Sequence, residues 1–142
     1  MKKLFLVLIT VGLLYSCNND DDDVAVNDIL GTWKLVEMSG SILNWQTTGA
    51  DMDWQETYTL NTNGTFMKTR VQNGTTTQAS GTFTFIEGTA DGNVIDFTFD
   101  SDNDIIANCS AELVERMYLE SDDTFFSGWI ACDGPGLKYE KN

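Results

Sequence analysis

The chain has 142 residues, no histidine, and 22 acidic against 8 basic residues, a formal net charge of −14 at pH 7. So acidic a chain is repelled by nucleic acid and by anionic lipid headgroups, and the lack of histidine removes the commonest general base and metal ligand. An apolar content of 42% in a chain of this length fits one domain around one core.

Lys2 and Lys3 form a positive n-region, and Leu4 to Leu14 an apolar run of secretory length. A membrane-spanning helix needs about 18–20 apolar residues, so this run reads as a cleaved export signal. Its end, Leu14-Tyr15-Ser16-Cys17, resembles the lipobox of bacterial lipoproteins. The resemblance implies that residues 1–16 are removed and that Cys17 becomes the mature N-terminus, carrying acyl chains such as palmitate. Each buried CH₂ contributes ~0.8 kcal/mol, and stable anchoring takes more than one chain, so an acylated Cys17 holds the protein at a membrane. The alternative is ordinary secretion, which wants a small-x-small cleavage site, but Ala25, a small residue, lies beyond the acidic run and far from the end of the apolar run. Losing Lys2 and Lys3 leaves six basic and 22 acidic residues, a net charge of −16.

Asn18 to Asp23 ends in four consecutive Asp, a solvated run that cannot pack, and residues 17–28 read as a tether. Acidic residues just after an acylated Cys resemble a signal by which one group of Gram-negative bacteria sends lipoproteins to the outer face of the outer membrane. The placement this implies is the cell surface, with a periplasm-facing anchor as the alternative.

From Ile29 to the end, residues 29–142, the chain reads as strands. They run Gly31–Met38, Trp54–Leu60, Thr65–Val71, Gly81–Ile86, Val94–Phe99, Glu112–Leu119, Phe125–Ala131 and Leu137–Glu140. Asn-Gly, Asp-Gly, Asp-Asp and Gly-Pro-Gly sequences separate them as turns. No segment sustains a capped 3.6-residue period, so no long helix is expected, and Ser39 to Asp53 is a loop or a short helix. About eight short antiparallel strands make a sandwich or an up-and-down barrel. The short sequential connections favour an all-β meander that closes and so removes its edges.

Ile29-Leu30-Gly31-Thr32-Trp33-Lys34-Leu35 is similar to the Gly-x-Trp opening of lipocalins. Tyr58 to Phe66, followed by Ser80 to Phe85, resembles the small lipocalin-like domains of bacterial lipoproteins. The resemblance covers Ile29 to Tyr139. It implies a β-barrel with a ligand-sized interior, binding a small apolar or amphiphilic molecule.

Asn61-Thr62-Asn63-Gly64-Thr65 suits a type I turn closed by a glycine bulge. That register pairs Leu60 with Phe66, Tyr58 with Lys68, Glu56 with Arg70 and Trp54 with Gln72. Alternation then puts Trp54, Glu56, Tyr58, Leu60, Phe66, Lys68 and Arg70 on one face, which Leu60 and Phe66 mark as the inner one. Gln55, Thr57, Thr59, Met67, Thr69 and Val71 take the other. Trp54, Glu56, Tyr58, Lys68 and Arg70 are the candidate ligand-binding residues, with Lys68 or Arg70 anchoring a polar headgroup at the barrel mouth. The competing reading is a Glu56–Arg70 cross-strand pair that satisfies itself.

Asp100, Asp102 and Asp104 alternate as at the start of a calcium loop, but Ile105 and Ala111 stand where such a loop needs Gly and Glu, so a solvated turn is expected. With Cys17 acylated, Cys109 and Cys132 remain as an even pair in an oxidising compartment and are assigned to a disulfide. A simple register about Asp122-Asp123 sets Cys132 opposite Leu113, roughly 13 Å along the strand from Cys109 at ~3.3 Å per residue. The chain before Glu112 must therefore fold back. No Cys/His constellation suggests a metal, no cofactor is expected, and Ser and Thr lack a His to activate them.

The function expected is thus non-catalytic: a membrane-anchored module binding a small apolar or amphiphilic ligand inside the barrel. The alternative is a surface interaction or accessory lipoprotein whose barrel is filled by Trp33, Phe83, Phe85, Phe97 and Phe99. Its loops, such as Ser41 to Asp53 with Trp45, then contact a protein or glycan partner.

Overall fold

The computed structural model describes residues 26–40 and 45–142. The signal segment, Cys17, the acidic run Asn18–Asp23 and residues 41–44 of the first loop lie outside the described residues. Among the described residues, nine strands form one antiparallel sheet: β1 Gly31–Ser39, β2 Gln46–Thr48, β3 Gln55–Leu60, β4 Thr65–Gln72, β5 Thr75–Thr89, β6 Gly92–Phe99, β7 Val114–Ser121, β8 Thr124–Ser127 and β9 Gly136–Lys141. All but β2 follow one another around a ring that β1 and β9 close, from Trp33 opposite Lys141 to Ser39 opposite Gly136. The expected eight-strand up-and-down barrel is therefore the fold. β2 is an addition in the stretch read as a loop or short helix, pairing Gln46–Thr48 with Ser39–Glu37.

Two further strands differ from the sequence reading. β5 begins at Thr75 rather than Gly81, because Asn73 (φ 52°) and Gly74 (φ 77°) make a two-residue hairpin turn that brings Thr75 opposite Gln72. β8 stops at Ser127, where the chain turns into a 3-10 helix, Gly128–Cys132, whose first turn is capped by the Ser127 hydroxyl accepting from Trp129 N at 3.1 Å.

The Asn61–Thr65 hairpin has the geometry its residues dictate. Gly64 N donates to Asn61 O at 3.1 Å, Asn61 N to Thr65 O at 2.9 Å, and Gly64 takes φ 78°. Leu60 faces Phe66, Tyr58 faces Lys68 and Glu56 faces Arg70. The chain enters at this end of the barrel through a 3-10 turn, Val26–Ile29, which closes it: Ile29 is fully buried and its carbonyl accepts from Trp33 Nε1 at 2.8 Å. The opposite end is covered by residues 100–113, which bury Ile105 and Ala107.

Aromatic side chains pack across the interior. Trp33, Tyr58, Phe97, Phe125 and Tyr139 are completely buried, with ring centroids 4.5 Å apart for Trp33–Phe125 and 4.7 Å for Tyr58–Phe97. Phe66 and Phe99 pack edge-on at 5.0 Å, and Phe83 and Phe85 close the flank as half-buried residues. Each such aromatic pair contributes about 0.5–1.5 kcal/mol beyond the area it buries.

Gly81 marks where β5 leaves β4 for β6. A Cβ there would lie 1.9 Å from Thr98 O and 2.9 Å from Phe66 Cε1, both fixed by the sheet and the core. Gly81→Ala should therefore force the two strands apart and destabilise the domain by about 2–3 kcal/mol. Denaturant unfolding of the variant checks this, and unchanged stability would mean that the strands are not this close.

Candidate functional site

Alternation along β3 and β4 carries four hydrogen-bonding side chains into the apolar interior: Glu56, Tyr58, Lys68 and Arg70. β7 adds Glu115 and β9 adds Tyr139. Lys68 Nζ donates to Glu115 Oε1 at 2.7 Å and to the Ile105 carbonyl at 2.7 Å, and it lies 3.2 Å from Glu56 Oε1. Arg70 Nε donates to Glu56 Oε2, and Arg70 Nη2 to the Ile105 carbonyl at 3.3 Å. The two phenols complete the set, Tyr58 donating to Glu115 and Tyr139 to Glu56. Ala107 N donates to Glu115 from the covering segment.

Two carboxylates thus meet two cations with every one of these groups buried. Removing a charge from water costs several kcal/mol, which only such close pairing with further hydrogen bonds offsets. Burial drives the Glu115 carboxyl above its ordinary range against the opposing pull of Lys68. Burial and then the neighbouring carboxylates hold the Tyr58 and Tyr139 phenols well above the ordinary phenol value.

The sequence reading brought Trp54, Glu56, Tyr58, Lys68 and Arg70 to one inner face, and the structure places all five together. Glu56, Tyr58 and Lys68 sit within the barrel, turned toward protein partners. Only Arg70 (8% exposed) and the half-buried Trp54 reach the rim, where the guanidinium lies over the indole at 4.2 Å from its centroid. Glu115, Tyr139 and the backbone of Ile105 and Ala107 complete the cluster and lie outside the inner face read from β3 and β4. An inward-facing Glu on β7 flanked by Leu113, Met117 and Leu119 is the signal that would have found Glu115.

Residues 100–113 turn back over the barrel end, as the disulfide required. Cys109 and Cys132 are bridged with Cα atoms 5.5 Å apart. A β-bulge between Leu119 and Ser121 shifts the β7–β8 register by one from the symmetric one about Asp122-Asp123. Asp100 accepts from the Ser80 hydroxyl at 2.8 Å, and Asn103 from Ile105 N at 3.2 Å, so this stretch serves as a turn. No group of three or more acidic or Cys side chains able to hold a metal occurs among the described residues.

On the outside, two open clefts border the rim. One of about 530 Å³ runs beside Lys34, Met52, Trp54 and Val71, and one of about 320 Å³ beside Arg70, Gln72, Thr77 and Asp104; Asn73 lines both. Trp54 Nε1 and Thr47 Oγ1 are buried without a hydrogen-bond partner among the described residues, and such a donor left unmet costs about 1–3 kcal/mol. No protein-family model, curated protein or solved structure matches this chain.

The cluster makes two predictions. Lys68→Met should strand Glu115 and cost about 3–5 kcal/mol, while Lys68→Met combined with Glu115→Gln should recover part of that loss, because no buried charge is then left unmatched there. Equal losses in the single and double variants, measured by urea unfolding, would show that the two side chains do not act as a pair. The second concerns alkali. Both phenols are raised in the folded state, so their contribution is complete below the ordinary phenol pKa of ~10 and is lost as pH rises above it. Tyrosinate absorbance from Tyr58 and Tyr139 should appear only together with unfolding, and ionisation of either with the near-ultraviolet dichroism intact would contradict their burial.

Proposed function

We propose that this protein is a lipid-anchored, non-catalytic recognition module whose barrel is a filled scaffold and whose partner binds the outside. The observation that supports this reading is the buried Glu56–Arg70–Lys68–Glu115 cluster. It stands where a ligand headgroup would enter, and its charges are met by one another, by two tyrosines and by the covering segment. A ligand entering the barrel would have to displace Ile105 and Ala107 from these groups and then break the ion pairs, leaving charges buried without partners. The aromatic side chains that would line a cavity instead touch one another across it.

Strand direction supports a role for the far end. The chain enters beside Ile29, at the end closed by Trp33, and the rim with Trp54 and the Asn73-Gly74 turn lies at the other end. A lipid on Cys17 would then hold the rim away from the membrane, with the acidic tether, repelled by anionic headgroups, extending the reach.

Native mass spectrometry of the protein purified from its own membrane tests the reading. The expected species is the acylated chain without any stoichiometric small molecule, and Cys17→Ala should shift the protein out of the membrane fraction. A stoichiometric amphiphile released from the native protein would restore the interior-ligand reading. Undiminished membrane partitioning of the Cys17 variant would remove the anchor.

A further inference from the structure

The outer face of β3, β4 and the first half of β5 carries no charge, and we infer that it packs against the same face of a second copy of this chain. The inference goes beyond the recognition reading above and does not rest on it, since it needs neither the tether nor a ligand at the rim. Every outward side chain of β3 and β4, and of residues 76–82 of β5, is uncharged, and most are threonine. The middle row runs Thr57, Thr69, Gln78 across the three strands, with Gln78 Nε2 donating to Thr69 Oγ1 at 3.2 Å. Met67 and Val71, 38% and 42% exposed, flank Thr69 along β4. They are two of five exposed large apolar side chains among the described residues.

The far side of the barrel is built differently. There β6, β7 and β9 turn Asp96, Arg116, Glu120, Lys138 and Glu140 outward. Outward charges of that kind keep sheet surfaces apart in solution, and β3 to β5 have none. Charge returns at the margins of the neutral face. Lys34 stands beside Thr57, with Asp53 near it across a cleft, and Asp100 accepts from Ser80 at the opposite margin.

Charge also selects the occupant. Two copies of a chain of net charge −14 repel one another, and on this face they can touch without setting one carboxylate against another. A basic partner would gain more on the acidic flanks. Threonine suits a contact between like surfaces, because its methyl packs dry while its hydroxyl both donates to and accepts from another hydroxyl. Met67 and Val71 supply the apolar centre. A two-fold axis along the barrel closes the contact and leaves both chains entering from one side, as two chains tethered to one membrane would need. Three strands at ~4.8 Å spacing and about six residues at ~3.3 Å give roughly 300 Å² of face. That is well under the ~800 Å² each partner buries in a standard interface, so the dimer is of the weak, transient kind.

Sedimentation equilibrium of the full mature protein in density-matched nonionic detergent tests the inference. A concentration-dependent dimer should appear by millimolar concentration. Salt should strengthen it, because screening relieves the repulsion between like-charged copies while the face has no ion pair to lose. Met67→Glu and Thr69→Glu should each weaken the dimer by roughly tenfold or more, since each sets a charge against its own copy. Both side chains face outward on β4, so the thermal transition of each variant should stay put. Ile130→Glu is the control. It adds the same charge at another exposed apolar side chain, on the 3-10 helix after β8 and across the barrel from β4, and should leave the dimer unchanged. Monomers at every concentration and salt, a dimer that salt weakens, an equal loss in the control, or an undiminished dimer in both face variants would overturn the inference. None of these outcomes bears on the anchor or on a ligand in the barrel, which the mass spectrometry decides separately.

Discussion

The rest of this domain is arranged around the need to neutralise Lys68 inside an aromatic core. Its position on β4 is inward by alternation, and nothing in the pleat lets its ammonium reach solvent. Glu115 from β7 and Glu56 from β3 answer it, and each carboxylate then needs more than one cation-side bond to offset its own loss of water. Tyr58, Tyr139, Arg70 and Ala107 N supply those bonds. Four strands and the covering segment are thereby held in one register by polar contacts, whereas the aromatic pairs around them tolerate small slips.

Such a cluster is an expensive way to stabilise a barrel, since a well-packed apolar set of similar volume often does as well or better. Its effect is specificity. With β3 and β4 each contributing two partners and β7 and β9 one each, a one-residue slip in any pairing would turn a charge or a phenol outward and leave its mate buried. The same contacts make the covering segment part of the fold, because Ile105 O is shared by both cations.

Much of this was legible in the chain. Strict alternation in Trp54–Leu60 and Thr65–Val71, with the Asn63-Gly64 turn between them, fixes the β3–β4 register and so the inward set. Thr75–Ser80 was not legible as strand, because threonine, alanine and glutamine there carry no apolar alternation and the pairing is set by the Asn73-Gly74 turn. β2 has three residues and one neighbour, too little for a pattern. The cluster's other half was hidden for a different reason: Glu115 and Tyr139 meet β3 and β4 only because the sheet closes, and closure brings together residues far apart in the sequence.

The Cys109–Cys132 bridge fastens the end of the covering segment nearer β7 to the 3-10 helix after β8. With both thiols reduced, Ile105 and Ala107 would have to find the ion cluster from a long loop held at its two strand ends alone, against greater loop entropy. The cap is therefore the part of the domain whose order depends on the redox poise of its surroundings. With the thiols reduced, the polar contacts of Ile105 and Ala107 with the ion cluster would hold the cap alone.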